Sequence, residues 1–232
     1  MRAASAVRVA IIDNAIRPSV YAPVKHWGAY LNDIKWKAFR APRGELPSHD
    51  DFSHIILTGS EASVLERKPW VGREVEFVQK AFAAGRSILG SCYGHQLLAF
   101  ALAGPGHVRR CREPEIGWIE IEILADSPLL GPKGRAWSFS VHFDEVRDLP
   151  EPYLVLASTR ACPIQAFGVR GRNVWGLQIH PEIDVSAGRA LLKSYGRSRG
   201  PAQALFRDAL ASEPSDSRLI LKIVEGFLSS FA

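Results

Sequence analysis

Ser87-Ile88-Leu89-Gly90-Ser91-Cys92-Tyr93-Gly94-His95-Gln96-Leu97-Leu98-Ala99 runs from a short apolar segment, through a cysteine flanked by glycines, into a second apolar segment. Ser87–Ser91 reads as a buried strand, and residues 93–103 (YGHQLLAFALA) as a helix closed by Gly104-Pro105-Gly106. The G-x-C-x-G between them has the form of a nucleophile elbow in its thiol version. A residue at so sharp a strand-to-helix turn sits in a strained backbone region. Glycines two positions before and after it remove the Cβ atoms that would collide with neighbouring chain. The N-terminus of the following helix also favours a thiolate. Without a base, a buried and unreactive cysteine in the same connection accounts for the stretch equally well.

Working outward, residues 7–13 (VRVAIID) and 54–58 (HIILT) are apolar runs of the kind that fill central parallel strands. Between them, residues 21–31 carry Val24, Trp27, Gly28 and Leu31 at helical spacing. Residues 34–38 predict an edge strand ahead of a Pro- and Gly-bearing loop at 42–47. Residues 71–84 put Val71, Val75, Val78 and Phe82 on one helical stripe, with Gly85 as the C-cap. Strand and helix alternate in this half, which predicts a parallel sheet with helices on both faces. From Ile116 the pattern changes. Residues 118–124, 136–139, 153–158, 164–169 and 174–179 are closely spaced strand candidates, an antiparallel or mixed insertion before the chain returns to the parallel core. Helical segments follow at 185–195, 202–211 and 217–231. No repeat, low-complexity tract or Ser/Gly-rich linker interrupts residues 1–232, so one compact domain is expected.

The composition is globular: 47% hydrophobic and 23% charged over 232 residues, enough chain to bury a core without disulfide or metal staples. The net charge of +5 invites a nucleic-acid partner, but the basic residues are scattered. Their tightest cluster, Arg109, Arg110 and Arg112, lies beside Glu113 and Glu115, so no nucleic-acid partner is expected. Cys92, Cys111 and Cys162 match no zinc or disulfide spacing, which favours a reducing cytoplasm. The apolar stretch at 7–12 is broken by Arg8 and followed by Asp13, so it reads as a strand rather than a leader. No run approaches membrane-spanning length, and no membrane partner is expected.

His180-Pro181-Glu182 supplies the missing base. Strands of a parallel sheet end at one common edge, so His180, after the run at 174–179, would meet Cys92 there. Residues two apart at a strand end share a side, which lets Glu182 orient the imidazole. His180 would then deprotonate Cys92 and Glu182 would stabilise the imidazolium.

The stretches G-S-C-Y-G-H-Q-L-L-A at 90–99 and G-L-Q-I-H-P-E at 176–182 resemble the two signatures of the class I glutamine amidotransferase family. More narrowly they resemble stand-alone members similar to the amidotransferase domain of GMP synthase. Pro114-Glu115-Ile116-Gly117-Trp118 and His142-Phe143-Asp144-Glu145-Val146, followed by Leu149-Pro150, also look like that subgroup. The resemblance runs from first strand to last helix. It implies an α/β fold, a flavodoxin-like, mostly parallel sheet flanked by helices, here with an added antiparallel β segment. It further implies Cys92 as nucleophile, His180 as base and Glu182 as orienter. The backbone N–H groups of Gly59, within Thr58-Gly59-Ser60, and of Tyr93 would form the oxyanion hole. Gln96 would help hold the backbone of glutamine. No metal or organic cofactor is required by such chemistry.

Several readings compete around this centre. His142, Asp144, His180 and Glu182 include the donor types of a zinc or iron site, a choice that leaves the Cys92 elbow unexplained. Residues 142–144 are instead expected as a loop over the mouth of the site, with Ser140 and Val141 contributing to substrate binding. His95 is expected as a packed helix histidine, Cys111 and Cys162 as spectators, and Trp27, Trp70, Trp118, Trp137 and Trp175 as core. Three functions follow: a glutaminase that releases glutamate and ammonia for a synthetase partner, a stand-alone γ-glutamyl peptide or amide hydrolase, and a non-catalytic partner-binding module. The sequence carries no P-loop, so ATP-dependent amination would need that partner.

Overall fold

A computed structural model of the chain describes residues 7–197 and 202–230. The start of the N-terminal segment and the expected last helical residue, Phe231, lie outside the described residues. Nine strands form one sheet, in the order β2-β1-β3-β4-β9-β8-β7-β5-β6. β1 (Arg8–Asp13), β2 (Lys35–Arg40), β3 (His54–Leu57), β4 (Ser87–Ser91) and β9 (Val174–Leu177) are parallel neighbours. β8 (Ala166–Val169), β7 (Tyr153–Ser158), β5 (Val108–Ile123) and β6 (Gly134–Val146) continue the sheet antiparallel. The α/β class and the flavodoxin-like parallel half with its antiparallel extension are as the sequence predicts.

Alternation along β1 explains the layering. Ala10 and Ile12 pack with Ile55, Leu57 and Ile88 against α2 (Val71–Ala83) and α3 (Tyr93–Leu102). Val9 and Ile11 point the other way, joining Ile56 and Leu89 with Trp27 of α1 (Pro23–Gly28) and Ile223 and Phe227 of α6 (Leu219–Leu228). A third cluster sits beside the antiparallel half. It gathers Trp118, Phe139, Leu191 of α4 (Val185–Gly196) and Phe206 of α5 (Gln203–Ala211). Two glycines let these last helices approach closely. A Cβ on Gly117 (φ +107°) would lie 2.9 Å from Ala209, and one on Gly188 would lie 3.0 Å from Phe139 and Trp118.

Three expectations change. α1 is shorter than residues 21–31, because after Gly28 the chain closes on i→i−3 bonds from Tyr30 to Trp27 and from Leu31 to Gly28. Residues 142–144 are not a loop. They belong to β6, paired with β5 across a register shift between Arg110 and Glu115. Their polarity misleads because each polar side chain has a buried or charged partner across the strands. Trp137 is not core: it is 37% exposed on β6, the outer strand of the sheet.

Candidate active site

Cys92 separates β4 from α3 with φ 49° and ψ −103°, a conformation that non-glycine residues rarely adopt. The flanking glycines are sterically required. A Cβ on Gly90 would lie 2.4 Å from the Gly94 oxygen, and one on Gly94 would lie 2.2 Å from the Leu57 oxygen. The Cys92 N–H donates to Leu177 O at 2.7 Å, tying the turn to the end of β9. That contact brings together what the sequence separates by 88 residues: just past β9 lie His180 and Glu182.

His180 Nδ1 stands 2.9 Å from Glu182 Oε1, and both side chains are buried. Tyr21, which the sequence reading did not single out, donates its hydroxyl to the same carboxylate oxygen at 2.8 Å and meets the His180 ring edge-on at 5.5 Å. Ser91 Oγ approaches Glu182 Oε2 at 3.4 Å. Gly59 follows β3 by two residues and packs directly on the imidazole, where a Cβ would lie 2.5 Å from His180 Cε1. Tyr93 is the first residue of α3, so its N–H lacks an acceptor within the helix. Its hydroxyl donates to buried Glu74 at 2.9 Å, and burial pushes the Glu74 carboxyl up to about 8 despite that bond.

Burial alone would lower the His180 pKa. The negative charges of Cys92 and Glu182, with hydrogen bonds to both, prevail and raise it to about 10. For Glu182 burial acts upward, but the His180 charge and bonds from His180 and Tyr21 leave the carboxyl below its usual range. The ring thus lies between a sulfur and a carboxylate, and both favour its protonated form. Such a group can donate a proton to a leaving nitrogen and then accept one from water.

Cys92 and His180 open into a cavity of about 300 Å3. Gln96 and Val141 line it as well, while Ser140 is buried beneath, its backbone paired with Gly117, and does not. Gln96 Nε2 donates to Asp144 O at 3.0 Å and to Gln178 Oε1 at 3.2 Å, which fixes the amide in place. Asp144 accepts from Ser63 Oγ at 2.5 Å and pairs with Arg110 at 3.0 Å. His142 faces Glu115 at 3.0 Å with Nε2 and the Asp144 carbonyl at 3.0 Å with Nδ1. The four-ligand reading of His142, Asp144, His180 and Glu182 thus fails on geometry: His180 and Glu182 pair with one another, whereas His142 pairs with Glu115 and Asp144 with Ser63 and Arg110. Among the described residues, the cluster with metal-ligand types is Glu115, His142 and Cys162. There Glu115 already accepts from Thr159 at 2.7 Å and Gln165 at 2.5 Å. Burial pushes the Cys111 thiol up to about 12 and raises Cys162 further, so neither is primed as a nucleophile. His95 is fully buried and packed on Phe167, with burial lowering its pKa to about 3.

The family model for class-I glutamine amidotransferases matches residues 10–194. A GMP synthase (glutamine-hydrolysing) of Clostridium novyi is 30% identical over 226 residues, covering 92% of this chain and 40% of the relative. The corresponding Yersinia pestis protein is 32% identical over 208 residues, covering 84% and 37%. The chain therefore spans less than half the length of these curated relatives. Among solved structures, a glutamine amidotransferase from Thermotoga maritima aligns with a TM-score of 0.77 at 21% identity, over 97% of this chain and 99% of that one. One from Methylobacillus flagellatus aligns at 0.70 and 20% identity, over 96% and 91%. Among the described residues no helix is long and apolar enough to cross a membrane.

Proposed function

Since this chain belongs to the class-I glutamine amidotransferase family, we propose that it hydrolyses the side-chain amide of glutamine through a thioester on Cys92. The observation that carries the reading is the strained Cys92 turn sharing one cavity with a His180 that Glu182 and Tyr21 hold in place. The Cys92 thiolate attacks the γ-carbonyl carbon, and the oxyanion that develops is received by the N–H groups of Gly59 and Tyr93. On collapse the C–N bond breaks, and the nitrogen leaves as ammonia with the proton from His180. Neutral His180 then takes a proton from water, which attacks the thioester and releases glutamate, regenerating the thiolate and imidazolium. Glu182 keeps the ring in the required orientation, and Gln96 and Val141 hold the amino-acid end of the substrate.

In this reading residues 1–232 act as one amidotransferase domain in the cytoplasm, and the ammonia passes to a synthetase partner. The relatives named as GMP synthases are more than twice the length matched here, which supports such a division of labour. The test is mass spectrometry of the protein mixed with glutamine and quenched within one turnover. A γ-glutamyl adduct on the Cys92 peptide is expected, and turnover that survives in Cys92→Ala would sink the mechanism.

A further inference from the structure

Beyond the thiol, the cavity lining includes two chemically different groups of mutually contacting side chains. One is polar and built by Gln96, Asp144 and Arg110. The other is apolar and largely aromatic, built by Phe143, Leu191, Tyr195 and Phe206. Its rings brace one another: Tyr195 and Phe206 have centroids 5.5 Å apart, and Phe143 and Phe206 lie 6.4 Å apart. Arg17 lies over the Tyr195 ring at 5.5 Å and approaches Glu61 at 3.9 Å, and this pair lines the cavity beside the rings and steadies Tyr195. The close contact of Ala209 with Gly117 seats α5 on β5 and fixes Phe206 at the cavity. Tyr195 and Phe206 both lie beyond residues 10–194, the span that matches the family. Phe143 and Leu191 lie within that span. Ammonia presents no carbon surface to the apolar group.

We infer that the site takes γ-glutamyl amides whose amine carries an apolar or aromatic group, with that group packed against Leu191, Tyr195 and Phe206. The inference rests on the thioester reading above and extends it to the leaving side. The balance is unchanged: γ-glutamyl-NHR and water give glutamate and RNH2, the C–N bond breaking as His180 protonates the nitrogen. Apolar groups in a preformed hydrophobic pocket discriminate by a factor of ten or more per well-placed increment.

The experiment compares kcat/KM for γ-glutamyl benzylamide and γ-glutamyl 2-hydroxyethylamide, whose amines are of similar basicity. The benzylamide is expected to be preferred by about tenfold or more. That ratio should fall towards one in Phe206→Ala and in Tyr195→Leu. Either variant suffices if the other fails to fold, and the wild-type ratio stands without them. Equal rates on the two amides, or a ratio that both folded variants keep, would overturn the inference while leaving the thioester mechanism intact. Failure to cleave either amide or glutamine itself, with Cys92 unmodified, would instead remove the reading on which it rests.

Discussion

Replacing Gly59 with alanine tests the site at its tightest contact. The new methyl carbon would lie 2.5 Å from His180 Cε1 and 2.9 Å from the Tyr21 hydroxyl. Carbon atoms ordinarily approach no closer than about 3.5 Å, so the imidazole must retreat by about 1 Å. It is buried, tied through Nδ1 to Glu182 and through its backbone N–H to Phe139 O at 2.8 Å, so no free rotation absorbs the shift. A displacement of that size at a reacting group costs about a hundredfold in rate, or about 2.7 kcal/mol in the barrier. Steady-state kinetics with glutamine should therefore show kcat reduced by about two orders of magnitude, with a smaller change in KM. A thermal melt alongside should show a loss of about 1–3 kcal/mol from overpacking. Gly72→Ala is the matched control: nothing lies within 4 Å of its would-be Cβ in α2, and a gain of about 0.5–1 kcal/mol is expected. Folded Gly59→Ala with kcat within about threefold of wild type would refute the argument that His180 must sit where it does.

Tyr21→Phe removes the hydroxyl that donates to Glu182 at 2.8 Å. A hydrogen bond to a charged group contributes about 1.5–3 kcal/mol, so kcat should fall by about tenfold or more while the fold survives. An unchanged kcat would mean that Glu182 needs no second anchor. In Cys92→Ala the charge that most raises His180 is gone, so an NMR titration of the imidazole should give a midpoint well below about 10. An unmoved midpoint would contradict the sulfur–imidazole pairing. Glu74 has a folded pKa of about 8 against 4.5 in the unfolded chain, so the folded state holds the extra proton between those values. Its contribution must therefore weaken stability as pH rises from about 4.5 to about 8 and level off above. Denaturant titrations at both pH values should show that slope in wild type and a flatter one in Glu74→Gln.

The elbow was legible because its glycines and cysteine fall within five residues, and the place of His180 beside it because that residue follows an apolar run. Both rest on local spacing. Tyr21 and Glu74 carry no such signal: each becomes significant through a partner, 161 residues away for Tyr21 and 19 for Glu74. Glu74 lies on the buried side of α2, where a hydrophobic stripe drawn through Val75 and Phe82 passes it over. β6 is a different kind of miss. Ser138, Ser140, His142 and Asp144 alternate with Phe139, Val141 and Phe143, a period-two pattern that was present but masked by its polarity. The same holds for β5, where the charged residues at 109–115 look like a surface cluster. In the sheet Arg109 and Arg110 answer Glu145 and Asp144 across the ladder.

One bond in the site also bears on how the protein stays dispersed. β6 is the last strand of the sheet, and an uncovered outer strand offers its peptide groups to any passing chain. Here Phe139 O is taken by the His180 N–H and Trp137 O by the Ser217 N–H, so part of that border is closed from within. His180 thus has two separate attachments, its ring in the cavity with Cys92 and its amide on the border of the sheet. His180→Ala keeps the amide and should give an inert but dispersed protein, whereas His180→Pro removes it and should add aggregation to inactivity.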